Sequence, residues 1–328
     1  MYLSSFSIIE PQESVYLFYP GWLNVWESHM YNRSLKSTGA HGWGFKRFGT
    51  TKDIYAREMI RTPHYKKYID AMDQVCDSAL QQMSAKERMQ LMKSRTAFIY
   101  ADSWGESGPF EEISSALHTA TIDTLPKNLV KKFSVKDFTC KIRCEKQALM
   151  QAMKVAQDYL DWDIFDFVVI CAAYRAVPVL AMSEEDIETD KKARAKEKDI
   201  RLNLCVERVG CFIFSNRESA MKVSCGHYLL PESDAELQRE LLTQDAQVNL
   251  LAFAGLRKSE PVRALLTCKP GEDPRAISLV DRYGASGCLS PALGWIYLEQ
   301  QAGSGAHGKM RTVVPDNFGG YTWFDTAY

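Results

Sequence analysis

Arg282-Tyr-Gly-Ala-Ser-Gly-Cys-Leu-Ser-Pro-Ala-Leu293, a glycine-rich loop, Gly308-Lys-Met-Arg-Thr-Val-Val314 and Phe318-Gly-Gly-Tyr-Thr-Trp323 together decide how the chain reads. The glycines of the first segment form a turn that feeds an apolar helix over 289–301. The loop over 303–308 leads into a strand over 309–314, and a glycine pair precedes an aromatic closing segment. A turn, a helix, a last core strand and a closing segment are parts of a layered α/β domain.

Upstream, the same elements recur. Residues 68–83 place Tyr68, Met72, Val75, Leu80 and Met83 near one helical stripe, and Ser84 with Glu87 three residues on reads as a capping box for a second helix. Thr96–Ala101 and 165–172 are short apolar runs of the kind buried strands show. Between them a helix is expected over 110–120, a strand over 136–144 and a strong helix over 145–160, with Leu149, Met153, Ala156 and Leu160 on one face. Strands are expected over 204–206, 208–215, 221–230, 248–254 and 264–268, and a helix over 234–244 with Ser233 as its cap. The runs 96–101 and 248–254 look like counterparts, as do 165–172 and 309–314, so a duplicated βαβ architecture is expected.

Composition limits the function classes. The 328 residues carry 40 basic and 41 acidic side chains, a formal charge of -1, which argues against a protein that coats nucleic acid or a polybasic membrane binder. Hydrophobic residues make up 46%, enough for a large core without disulfides or metals. The nine cysteines are scattered and show no CxxC pair, so they read as reduced thiols of a cytoplasmic protein. Apolar runs fall far short of a membrane helix, and the N-terminus lacks a basic, then apolar leader pattern. Gly105-Glu-Ser107-Gly108 misses a nucleophile elbow because Pro109 stands where the last glycine belongs, and no phosphate-binding glycine loop is present. The mixed-charge run over 183–201 reads as a solvated loop or short surface helix at the junction of two halves, and the aromatic segment 1–62 as an arm or lid.

The C-terminal stretch resembles the end of a β-ketoacyl-acyl-carrier-protein synthase III, a thiolase-fold condensing enzyme. Phe138–Cys144 and the following helix, with Asp166-Phe-Val-Val-Ile-Cys-Ala-Ala173, resemble that family's nucleophile strand, helix and next core strand. Arg208-Val-Gly-Cys-Phe-Ile-Phe214 resembles the strand that opens the C-terminal half. The resemblance covers roughly 70–323. It implies a thiolase-like layered α/β fold of two related βαβ-type halves. The arm or lid would occupy 1–62, an N-terminal half 63–190 and a shortened C-terminal half 191–328.

The family works with a cysteine lowered in pKa at a helix N-terminus, a histidine, and an asparagine or second histidine. The resemblance places the cysteine at Cys144, although Glu145-Lys-Gln147 follows where the family has small residues and glycine. The histidine position falls at Ala252, with Gly255 at the asparagine after it, and the third position falls at Ala285. An alanine side chain neither donates a hydrogen bond nor moves a proton. His29, His41, His64, His118, His227 and His307 lie elsewhere and read as surface or structural residues.

Three functions follow as expectations. The first is a catalytically degenerate, non-decarboxylating subunit of fatty-acid or polyketide-type biosynthesis, which binds acyl chains or carrier protein and pairs with an active synthase. The second is an acyltransferase of the β-ketoacyl synthase type with Cys144 as thioester nucleophile. The third is a non-enzymatic interaction scaffold that uses the arm at 1–62. The resemblance implies no cofactor or metal, with acyl-CoA or a phosphopantetheinyl acyl carrier protein as substrate or partner. It also implies a homodimer, or a heterodimer with a ketosynthase-like subunit. Arg257 and Lys258 are candidates for docking an acidic carrier.

Overall fold

The computed structural model describes residues 1–21, 25–49, 63–103, 127–185, 201–242, 248–256, 262, 275–301 and 308–328. The helix expected over 110–120, the strand expected over 264–268, Ser107, His118, His307, Arg257 and Lys258 lie outside them.

Among the described residues the strands are β1 (Tyr2–Ile9), β2 (Tyr16–Phe18), β3 (Gly42–Lys46), β4 (Thr96–Ser103), β5 (Phe138–Arg143), β6 (Phe167–Tyr174) and β7 (Leu202–Val206). They continue with β8 (Arg208–Ser215), β9 (Met221–Cys225), β10 (Leu250–Phe253), β11 (Arg275–Ser278), β12 (Lys309–Pro315) and β13 (Tyr321–Ala327). The helices are α1 (Val25–Thr38), α2 (Pro63–Gln82), α3 (Ala85–Lys93), α4 (Lys127–Lys132), α5 (Ala148–Asp161), α6 (Pro178–Glu184), α7 (Asp234–Leu241), α8 (Leu279–Tyr283) and α9 (Leu293–Gln301). Short 3₁₀ turns, Glu145–Gln147 and Gly287–Ala292, lead into α5 and α9.

Ten strands form one sheet in the order β11-β10-β12-β13-β9-β1-β8-β6-β4-β5. The order contains the same pattern twice. In the first half β4 pairs in parallel with β5 and β6, and β8 runs antiparallel to both β6 and β1. In the second, β10 pairs in parallel with β11 and β12, and β13 runs antiparallel to both β12 and β9. Taken in chain order within each half, both read third, second, fourth, fifth, first. The halves meet where β1 and β9 pair through Tyr2–Lys222 and Leu3–Met221. This is the expected duplication, with β4 matching β10 and β6 matching β12.

Two boundaries of the expected division change. Residues 2–9, assigned above to the arm, are a strand inside the sheet, because the Leu3 and Phe6 side chains bury in the central core. Residues 208–215 close the first half rather than open the second, since β8 pairs with β6 over its whole length. The second half therefore begins with β9, and the expected strand 221–230 ends at Cys225.

Period-two alternation builds the layers. Ala97, Ile99 and Ala101 of β4 and Val168, Ile170 and Ala172 of β6 face a central core that also holds Leu250 and Ala252 of β10. Phe98, Tyr100, Val169 and Cys171 face outward against α2, which contributes Met72, Val75, Cys76 and Ala79. On the other side, Leu251 and Phe253 face outward against Leu237 and Leu241 of α7. Helices α5 and α9 lie between the two halves. Trp295 of α9 sits fully buried, with the rings of Phe6, Phe212, Phe214 and Phe324 around it, and its indole Nε1 donates to Thr326 Oγ1 at 3.0 Å.

Strands β2 and β3 of the N-terminal segment join β7 in a smaller sheet, β2-β3-β7. It is tied to the main body through Glu207, whose carboxylate accepts from Arg47 Nε at 2.8 Å and from the Phe48 amide at 2.9 Å. No helix among the described residues is long and apolar enough to cross a membrane.

Candidate functional site

Strand β5 ends at Cys144, and the chain turns at once into the 3₁₀ turn and α5. Glu145 makes the turn with φ +38°, an uncommon conformation for a residue with a side chain. The Cys144 thiol is exposed. Partial burial, together with the nearby carboxylates of Glu145 and Asp316, pushes its pKa above the ordinary cysteine range. Asp316 belongs to the closing segment. Its Oδ1 accepts from the Phe318 and Gly320 amides at 2.7 Å each, and Gly319 supplies φ +88° for that turn. Tyr228 donates to its other oxygen at 2.7 Å.

The segments singled out by the sequence converge on one pocket. It is lined by Lys146 from the turn after Cys144, by Ala254, Gly255 and Leu256 after β10, and by Ala285, Gly287 and Ser290 around the second 3₁₀ turn. Tyr174, Ala181, Glu184, Glu185, Cys205 and Val280 complete the wall. Cys144 itself is not part of the lining. Ala252 points into the central core and is fully buried, so the residues that reach the pocket from that strand are Ala254 and Gly255. Ala285 reaches it, held by backbone hydrogen bonds to Leu204 and Val206.

Contacts between the halves involve residues next in sequence to the lining. The Cys288 amide donates to Ser103 Oγ at 3.1 Å, across from one half to the other. Gln147 Nε2 donates to the Val314 carbonyl at 3.2 Å, and Thr322 Oγ1 donates to Gln147 Oε1 at 2.6 Å. Gly287, at φ +49°, passes so close to Tyr174 that an added Cβ would lie 2.4 Å from its ring.

The polar groups of this pocket differ from those expected. Lys146 Nζ sits 2.5 Å from Glu185 Oε1 and 3.3 Å from Asn317 Oδ1. Glu184 and Glu185 are buried at the end of α6, not in a solvated run. Pro178 at the helix start and the apolar Val-Leu-Ala-Met that follows are the sequence signal for this helix, which carries the acidic pair inward. Burial holds the Tyr174 phenol and the Cys205 thiol well above their usual ranges, so both stay protonated. No histidine or asparagine stands in the described lining. His227 instead packs edge-on against Trp323. The lining offers hydroxyls, a neutral thiol, the Lys146–Glu185 ion pair and the Glu184 carboxylate, with the Asn317 carboxamide against Lys146.

No protein-family model matches the chain, and no curated protein matches it by sequence. Solved structures do match. An OleA variant from Xanthomonas campestris with bound lauric acid and lauroyl-CoA superposes with a TM-score of 0.58 at 10% identity, over 100% of this chain and 98% of that one. Cerulenin-bound OleA from the same organism gives 0.58 at 11% identity, over 100% and 96%. The oxazolomycin ketosynthase domain OzmH KS7 from Streptomyces albus gives 0.60 at 11% identity, over 99% and 74%. The chain has the thiolase-like fold of these condensing enzymes.

Proposed function

We propose that the chain is a ketosynthase-like protein of fatty-acid or polyketide-type biosynthesis. In this reading its pocket receives an acyl chain or its carrier arm without decarboxylating a malonyl unit, and it pairs with an active synthase. One observation carries the reading: Ala254, Gly255 and Ala285 stand where the two halves converge on the pocket, and its described lining holds neither the histidine nor the asparagine that would support an enolate. The acidic surroundings of Cys144 agree with it, since they disfavour the thiolate.

The OleA variant described with bound lauric acid and lauroyl-CoA supports an acyl ligand here. Acyl-CoA or a phosphopantetheinyl acyl carrier protein is the proposed partner, with Arg257 and Lys258, directly after pocket-lining Leu256 in sequence, as its acidic-surface contacts. Pairing has a structural opening. Strand β5 is the last strand of the ten, and nothing among the described residues pairs with its outer edge. A second copy or a ketosynthase-like partner would extend the sheet there. The described cysteines are free thiols, which fits a reducing, cytoplasmic setting. Affinity purification of the full chain from its own cells tests the pairing. A second ketosynthase-like chain is expected in stoichiometric amount, and recovery of the chain alone would contradict it.

A second reading, acyl transfer through Cys144, is favoured by the strand-to-helix elbow that presents the thiol to solvent. It requires a mass increase on Cys144 after incubation with an acyl thioester. An unmodified Cys144 rejects it.

A further inference from the structure

Away from the pocket, three cysteines meet inside the protein. Cys171 of β6 and Cys211 of β8 face each other in the antiparallel register. Cys76 comes down on them from α2, its Sγ 3.4 Å from that of Cys171, and all three sulfurs lie within 4.8 Å of one another. All three residues are buried. The geometry points to a binding site for one soft monovalent cation of the copper(I) class, held by these three thiolate sulfurs.

Spacing is the first argument. A cation about 2.3 Å from each of three sulfurs needs them about 4 Å apart; the Cys76–Cys171 pair stands at 3.4 Å and no pair is more than 4.8 Å apart. Two ligands lie on adjacent strands within the sheet and the third on a 20-residue helix, so the triangle is held by rigid elements.

Ligand chemistry is the second. Thiolates select soft cations, whereas a structural zinc site takes four ligands. Among the described residues no fourth cysteine, histidine or carboxylate joins the cluster. The neighbours Val75, Ala79, Val169 and Ile213 are apolar. Three-coordination by sulfur alone is what such a chamber supports.

Charge is uneven across the triangle. Hydrogen bonds from Cys171 and Cys211 hold the Cys76 thiol below the ordinary cysteine range, while burial holds the Cys171 and Cys211 thiols well above it, so the cation must displace two firmly held protons. Each metal–sulfur bond replaces an S–H bond and the proton leaves to solvent, so occupancy rises with pH.

The test uses the reduced full-length chain, incubated anaerobically with copper(I) both as folded protein and during refolding from urea, then washed with a copper(I) chelator. One copper per chain is expected to remain, with X-ray absorption reporting three sulfur neighbours. Cys171→Ser with Cys211→Ser should lower retention at least tenfold, while Cys140→Ser, Cys144→Ser and Cys225→Ser together leave it unchanged. Absence of retained copper in both preparations overturns the assignment. So does loss of copper in the second set of variants, or a shell of nitrogen and oxygen. Because the last readout comes from the unaltered chain, a folding failure in the double variant leaves the question decided.

Discussion

Cys144 shows how local charge decides the chemistry of a residue that backbone position alone would nominate. It stands at the end of a strand and the start of a helix, where the helix terminus favours a thiolate. Partial burial and the carboxylates of Glu145 and Asp316 act in the opposite direction and prevail. Alkylation by iodoacetamide, followed by mass spectrometry across pH, should therefore reach half its maximal rate at a higher pH than an ordinary exposed cysteine. Glu145→Gln removes one negative charge, lowers the thiol pKa and should speed alkylation several-fold at pH 8. The pocket wall makes a separate prediction. Gly287→Ala places a Cβ 2.4 Å from the Tyr174 ring and adds strain at φ +49°, so it should cost about 3 kcal/mol or more in denaturant unfolding. The position of Ala285 in the pocket was legible from its glycine turn. That of Ala254 was not, because a resemblance of spacing does not say which residue of a strand end turns toward the cleft. Glu184 and Glu185 were hidden by composition, since a run of mixed charge has the same appearance whether its first acids are buried or solvated.

At the scale of elements, short-range signals were reliable. The capping box before α3 is present as read, with Ser84 Oγ accepting from the Glu87 amide and Glu87 returning a bond to the Ser84 amide. The stripe of α5 buries Leu149, Met153, Ala156 and Leu160 as its spacing requires. Helix α9 is different. Its first turns are buried between the halves while Glu299, Gln300 and Gln301 at its end are exposed, and Trp295 fills the buried space with aromatic neighbours from three strands. Trp295→Ala should cost about 3–5 kcal/mol, measured by denaturant unfolding, because removing the ring leaves a cavity at the meeting point of both halves.

Over the whole molecule, the fold is a duplication. The pairing order third, second, fourth, fifth, first occurs in each half, and β1 with β9 joins the two. Matching apolar runs already suggested this, because buried strands carry their signal locally. The half boundary escaped the sequence, since β1 and β8 enter the first sheet from opposite ends of a long chain segment and only long-range pairing reveals it. Duplication also explains why the pocket sits where it does. The turns that precede α5 and α9 are counterparts, and they meet beside it. The thiolase-like fold thus surrounds a pocket whose described lining holds no histidine or asparagine. The most direct test is carbon dioxide release from malonyl-CoA and malonyl-carrier protein, in the presence of acyl-CoA, by the purified chain. The account predicts no release above the protein-free rate. Catalysed decarboxylation by the chain alone, lost on heat denaturation, would contradict it.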